Sequence, residues 1–471
     1  MKKTMTLHRR ERCVRSKMPS QTVQHILHRA LQFMILLTFA LIPLWYRFPE
    51  NPFYLPTLYV SRFSILQVML LAIVLWIARG IPGLRCVWRD PLQRTWLLLL
   101  LTLTAWVIAS QMWAFRRAAN PEVAQSAAFQ FSVVMLFAIV VISTRPSPKW
   151  VIGALLTGVV WNTALAILQT HNQADLGLRF FAAFPGEFPL DPARSGVSVV
   201  VANGVRWLRP YALLPHPNML GGFLMIGLLA AVGWILSANQ KLRWFGTAIF
   251  GFGLWGLLLT FSRGAWLAFA VGGFAIVPIL WRTHKRRLLR PLGVAGGIAI
   301  VVGLLFTFTH RDLLLVRTSS GSNTELSELR SYVDRTIFTN YAQRAIRENP
   351  VRGVGIGNFP WRASFYLVES DFDLRGDNAH HVLLQAWAEL GVIGWGLTVA
   401  AWMVGIELAL RNRPDAQRAA LLAGVLALGI IGIIDHYPWT ILQFQTAWWG
   451  LLAVAGSDDK ANRNAITMSQ A

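Results

Sequence analysis

Trp244–Trp281 reads WFGTAIFGFGLWGLLLTFSRGAWLAFAVGGFAIVPILW, and Arg263 is its one ionisable side chain. Two apolar runs, Trp244–Phe261 and Ala265–Trp281, flank a turn at Ser262-Arg263-Gly264. Each is of the length that crosses a hydrocarbon layer of roughly 30 Å at about 1.5 Å per residue. The rest of the chain repeats this unit. Apolar runs at Leu31–Tyr46, Phe63–Ala78, Thr95–Trp113, Ala127–Ser143 and Trp150–Gln169 precede it, together with Asn218–Ala238. Leu292–Thr309, Val382–Leu410, Ala419–Ile434 and Ile441–Ala455 follow. Of 471 residues, 55% are hydrophobic and only 14% charged, against about 25% charged in soluble proteins. So little polar surface excludes a soluble fold of this length. The expected fold is an all-α polytopic membrane protein with about twelve transmembrane helices.

Charge supplies an orientation. The formal net charge is +22, and the excess is uneven. Residues 1–29 carry Lys2, Lys3, Arg9, Arg10, Arg12, Arg15, Lys17 and Arg29 against Glu11 alone. With that segment in the cytoplasm, the alternate loops are cytoplasmic too. They hold Arg79/Arg85/Arg89/Arg94, Arg145/Lys149, Lys241/Arg243, Arg282/Lys285/Arg286/Arg287/Arg290 and Arg411/Arg413/Arg418. This is the positive-inside pattern, with both ends expected in the cytoplasm. It divides the chain into a basic segment 1–29, a membrane domain 30–456 with extracytoplasmic loops 171–217 and 310–381, and a tail 457–471. The basic residues are dispersed over short segments, so they report topology and anionic lipid, with no nucleic acid partner expected. The first apolar run lacks a small-x-small cleavage site and reads as an uncleaved helix. Cys13 and Cys86 both fall on the cytoplasmic side and suggest neither a disulfide nor a zinc site.

Long loops carry function more often than short ones. In loop 310–381, Ser322-Asn-Thr-Glu325 reads as a capping box. Leu326, Leu329, Val333, Ile337, Tyr341 and Ala345 then recur at helical spacing until Asn349-Pro350. Such an amphipathic helix must rest its apolar face on the membrane surface or on the protein, with Arg335, Arg344 and Arg347 on its other faces. Arg352-Gly-Val-Gly-Ile-Gly-Asn-Phe359 lacks dinucleotide-fingerprint spacing and reads as a tight turn that could offer N–H groups to an anion. Asp371 and Asp373 form a D-x-D that could hold a divalent cation, but two loop aspartates are more often simply solvated, and no metal is expected.

Three further features gather at the extracytoplasmic ends of helices. Arg263 sits at a turn with almost no loop around it, where arginine is costly unless paired or reaching the interface. Arg209-Pro-Tyr-Ala-Leu-Leu-Pro-His216-Pro-Asn218 precedes a helix, and its plain structural reading is a proline-ended loop with Asn218 as the cap. Asp377-Asn-Ala-His380-His381 opens another helix, and Glu389 lies deeper in it. A histidine at a helix start feels the positive end of the dipole, which favours the neutral form a general base needs.

In this order the motifs resemble the O-antigen ligase family, which also takes in O-antigen polymerases and protein O-oligosaccharyltransferases. The likeness rests on Arg209 with His216-Pro-Asn218, on the TFSRGAWLA turn, on Arg335 with Asn349–Phe359, and on Ala379–Gly391. It covers roughly residues 65–455. One departure is His381, where the family usually has asparagine; the register of Glu389 matches His380 to the family's functional histidine. The resemblance implies a GT-C-like membrane glycosyltransferase in the bacterial inner membrane, using no nucleotide sugar and no cofactor. Its implied partners are a polyprenyl-diphosphate-linked glycan donor and a lipid, glycan or protein acceptor. It implies His380 as base, with Arg263, Arg209, Arg335, His216, Asn218 and His381 as substrate-binding candidates. Arginine suits that donor because its fork binds phosphate oxygens bidentately. The rival classes are a small-anion or bicarbonate transporter and a nonenzymatic partner in envelope assembly. A transporter should place ionisable groups near the midplane in two related halves; here the membrane runs are almost free of charge.

Overall fold

A computed structural model describes residues 21–46, 63–114, 121–177, 190–194, 196–282, 289–318, 326–368, 377–411 and 414–457. In chain order the elements are α1 (Gln21–Ala40), α2 (Ser64–Ala78), α3 (Leu84–Arg89), α4 (Pro91–Ala114), α5 (Pro121–Thr144) and α6 (Pro148–Asn172). After them come β1 (Val199–Ala202), β2 (Val205–Leu208), α7 (Pro217–Ile235), α8 (Gln240–Leu259), α9 (Arg263–Arg282) and α10 (Leu289–Thr309). The chain continues through α11 (Arg311–Thr318), α12 (Leu326–Glu348), α13 (Phe359–Val368), α14 (Val382–Arg411), α15 (Ala416–Ile434), α16 (Tyr437–Thr440) and α17 (Leu442–Gly456). Among the described residues, nine helices are long and apolar enough to cross a membrane: α4 to α10, α14 and α15. The shorter apolar helices α2 and α17, with α1, occupy the other expected runs. The protein is thus an all-α polytopic membrane protein, as expected, with one small hairpin added.

Local chemistry sets the helix ends. Pro91, Pro148 and Pro217 open α4, α6 and α7, where a missing N–H costs nothing. Asn239 caps α8 by accepting from the N–H groups of Lys241 and Leu242, and Asp415 caps α15 through Arg418. Helix α1 starts earlier than its apolar run suggests and stops at Ala40.

Helix α7 is the hub, packed by α6, α8, α9 and α15 and buried along nearly its whole length. Lipid tails are as apolar as leucine, so such contacts depend on close approach of small residues. Gly222 shows this: a β-carbon there would run into the Tyr437 hydroxyl on α16. Helix α10 stands at the rim and turns Ile300, Val301, Leu304 and Phe308 outward.

The large loop is folded onto the bundle. In α12, Phe338, Ala342 and Ala345 pack against Phe359, Ala363, Tyr366 and Leu367 of α13 and against Ala379 and Ala388. The apolar face of the amphipathic helix therefore rests on the protein. Glu348 ties α12 to α13, accepting from Arg362 at 2.5 Å, the Tyr366 hydroxyl at 2.6 Å and Arg344 at 3.1 Å. Burial opposes its charge, but these bonds prevail and hold the carboxyl below its usual range. Burial and the bond to Glu348 push the Tyr366 phenol up to about 12. The expected capping box at Ser322–Glu325 lies outside the described residues. In the other loop, β1 and β2 pair antiparallel across Asn203-Gly204, both with positive φ (54° and 78°), as a two-residue hairpin turn requires.

Candidate active site

Separate stretches of chain converge at the end of the bundle that carries the large loop. The first enters α7. His216 is the cap: its backbone is extended and its Nδ1 accepts the Asn218 N–H at 3.1 Å. Asn218, expected as the cap, instead accepts from Arg209 through Oδ1 at 2.8 Å. Burial, helped by the charge of Arg209, brings the His216 imidazole down to about 3, so it is a neutral acceptor. Arg209 itself is buried, 5% exposed. Its Nε donates to the Thr260 carbonyl at 2.8 Å and its Nη1 to Ser198 Oγ at 2.8 Å. One guanidinium therefore pins the hairpin, the α7 cap and the TFSR turn together.

That turn is the second stretch. Thr260 ends α8, and α9 begins at Arg263, which is exposed on the same end of the bundle. Its neighbour Gly264 lies so close to Ile434 that a β-carbon there would clash with it.

The third stretch precedes α14. The helix starts at Val382, and His381 caps it, its Nδ1 accepting the Leu384 N–H at 3.3 Å. The helix-start role expected of His380 thus belongs to His381. His380 stands outside the helix at φ +48°, a left-handed backbone that costs a residue with a β-carbon about 1–3 kcal/mol and persists only where its surroundings enforce it. They do. Gln385 Oε1 accepts the Ala379 N–H at 2.8 Å, while Gln385 Nε2 donates to Asn378 Oδ1 at 3.0 Å and Glu389 Oε1 at 2.8 Å.

The fourth stretch, Asp435-His436, follows α15 and was not anticipated from the sequence. His380 Nδ1 lies 3.6 Å from Asp435 Oδ1, and its Nε2 lies 3.9 Å from the exposed Asp377. The His380 and His436 rings meet edge to face at 5.0 Å. His436 Nδ1 is 2.7 Å from Thr440 Oγ1. Burial opposes charge on Asp435, but His380, His436 and Arg335 outweigh it and hold the carboxyl well below its usual range. Burial lowers His436 despite Asp435. Arg335, exposed on α12, acts electrostatically on Asp435, His436 and His216 alike, so the loop helix faces this cluster.

His380, Asp435 and His436 also each offer a ligand atom within 4.8 Å of one another, close enough for a divalent cation. The charge of Arg335 at the same centre opposes a cation and favours an anion. Asp371 and Asp373 lie outside the described residues.

The glycine turn has an unexpected role. Its backbone N–H groups face the carboxyl of Glu389, to which Gly357 and Phe359 donate. Glu389 Oε2 accepts Trp439 Nε1 at 2.9 Å. Val354 and Gly355 donate to the carbonyls of Ala388 and Glu389 at 2.9 and 2.7 Å. Gly353 (φ +68°) and Gly391 (φ +67°) meet backbone to backbone, where a β-carbon on either would clash.

Residues 248–399 match the family model described as O-antigen ligase. No curated protein matches the chain. The matched segment takes in the TFSR turn, Arg335, the glycine turn and His380, while Arg209–Asn218 and Asp435–Thr440 lie outside its bounds. The chain is therefore a multi-pass membrane protein carrying an O-antigen ligase-like domain.

Proposed function

We propose that the protein is a membrane glycosyltransferase of the O-antigen ligase type. It moves a glycan from a polyprenyl-diphosphate donor to an acceptor hydroxyl on the extracytoplasmic side of the bacterial inner membrane. The observation that carries this reading is His380, held in a strained backbone with Nδ1 toward a half-buried, ionised Asp435 and with Arg335 facing the same centre. In the reaction, the acceptor oxygen forms a bond to the anomeric carbon as the bond from that carbon to the phosphate oxygen breaks. The acceptor proton passes to His380 Nε2, and the electron pair leaves with the diphosphate. Asp435 keeps the Nδ1–H tautomer and stabilises the imidazolium that forms, closing the 3.6 Å gap as catalytic contacts tend to do when substrate binds. Arg335 and Arg263 receive the charge that develops on the diphosphate, usually the largest catalytic contribution. Arg209, with protein acceptors on three elements, acts as a clamp holding Asn218 and the TFSR turn in place.

Ligation to a lipid-linked core, polymerisation of a glycan and transfer to protein share this chemistry and differ in the acceptor. The test is a proteoliposome assay with lipid-linked glycan donor. His380→Ala should lower turnover about 10²–10⁴-fold. Asp435→Asn should lower kcat with donor binding kept. His381→Asn, which retains a capping side chain, should stay near wild type. Full turnover in His380→Ala would refute the assignment.

A further inference from the structure

Beside the histidine cluster lies a cavity of about 390 Å³, walled by α5, α16, α17, the residues that bracket α1 and α2, and the glycine turn. This is within the size range of small-molecule sites. Three of its walls are aromatic: Trp45, Phe63 and Trp439. Its polar groups are mainly amides. Gln130 donates to Gln445 Oε1 at 2.9 Å and to the Thr440 carbonyl at 3.3 Å. Gln443 is fully buried, and its Oε1 has no hydrogen-bond partner among the described residues. An orphaned buried acceptor is costly, and Gln443 is among the residues that line the cavity, so a ligand donor is the natural partner for its carbonyl.

Among the described residues the lining holds neither arginine nor lysine, and its one carboxyl, Glu389, is occupied by Gln385, Trp439 and the glycine-turn N–H groups. Such a site suits a neutral, hydroxyl-bearing ring, whose C–H face stacks on an aromatic side chain while its hydroxyls bond amides. It does not suit a diphosphate. Its position fits the nucleophile's side of the reaction. Thr440, in the wall, contacts His436 at 2.7 Å, and Asn378, also in the wall, is two residues from His380.

We propose that this cavity seats a sugar ring of the acceptor and delivers its hydroxyl to His380, an inference that rests on the transferase reading above. The occupant of another class would be a prenyl or acyl chain, and Gln443 separates the two. Replacing its amide with an apolar side chain of similar size weakens a sugar site and improves a lipid one.

The probes are methyl glucoside, methyl galactoside, methyl mannoside and farnesol. Binding is followed by saturation-transfer NMR on the full chain in a sugar-free detergent, and transfer is assayed in parallel. The wild type should bind at least one glycoside, Gln443→Leu should bind it at least about tenfold more weakly, and Ser126→Trp, which fills the cavity from α5, should not bind it. His380→Ala should bind normally while failing to transfer, which also shows that the cavity tolerates loss of catalysis. Absence of glycoside binding in the wild type, or unchanged binding in both cavity variants, overturns the assignment. Farnesol binding that strengthens in Gln443→Leu overturns it in favour of a prenyl seat. Glycoside binding without any glycan transfer by the wild type would instead overturn the transferase reading and leave the sugar seat standing.

Discussion

His380 and His381 are adjacent in sequence and do different work. His381 spends its ring on the α14 cap, which leaves His380 outside the helix with its Nδ1 turned to Asp435. The motif around His380, the arginine at position 335 and the segment at His216 were all legible in the sequence, because short spacing and helix-end chemistry are local. Asp435 was not. It ends an apolar run, carries no motif, and meets His380 only through the packing of α14 against α15. For the same reason the sequence assigned the cap to Asn218, since it could not show that Arg209 claims the Asn218 oxygen. Arg263 is the next residue to test. Arg263→Ala should abolish glycan transfer at normal protein abundance, and Arg263→Lys should recover only part, because an ammonium cannot copy the bidentate fork. Full transfer by the alanine variant would reduce Arg263 to an interfacial anchor. The cluster's other chemistry can be tested by chelation. Transfer should survive EDTA and be unchanged by added zinc; loss on chelation with zinc rescue would convert His380, Asp435 and His436 into metal ligands.

At the level of elements, apolar runs marked the membrane helices well, since a bilayer demands that every spanning backbone group bond within its own helix. The periodicity of α12 was equally plain. The β1–β2 hairpin went unread although Asn203-Gly204 between valine-rich flanks is a strong hairpin signal. Helix α13 was hidden because Phe359–Val368 is short and apolar on several sides, so its period is indistinct. The junction between the glycine turn and α14 is the element most sensitive to change. Gly391 interrupts α14 at φ +67°, with its α-carbon against Val351 and Arg352. Gly391→Ala should cost about 1–3 kcal/mol in backbone strain alone, with the steric clash adding to it. The expected readout is faster limited proteolysis near Arg352 and a lower inactivation temperature, while far-ultraviolet helicity is kept. Unchanged proteolysis would mean that the turn does not depend on this contact.

Taken as a whole, the molecule places its histidine cluster, hairpin and loop helices at one end of the bundle, and the basic turns of α3 and of the α7–α8 connection at the other. The proposed orientation predicts that a membrane-impermeant thiol reagent on intact cells labels Val205→Cys in the hairpin but not Ala238→Cys. The native Cys86, exposed beside α4, should also stay unlabelled until the membrane is permeabilised. Labelling of Ala238→Cys in intact cells would invert the topology and place the site in the cytoplasm. The Glu389 carboxyl carries a further consequence, one of timing during synthesis. The glycine turn emerges from the ribosome before its partner does, and Trp439, which donates to the same carboxyl, emerges later still. Through this contact the loop waits for α14, and α14 in turn for α16. Helices translated after the large loop therefore complete its closure, and a nascent chain released before Trp439 would carry the loop without an assembled site.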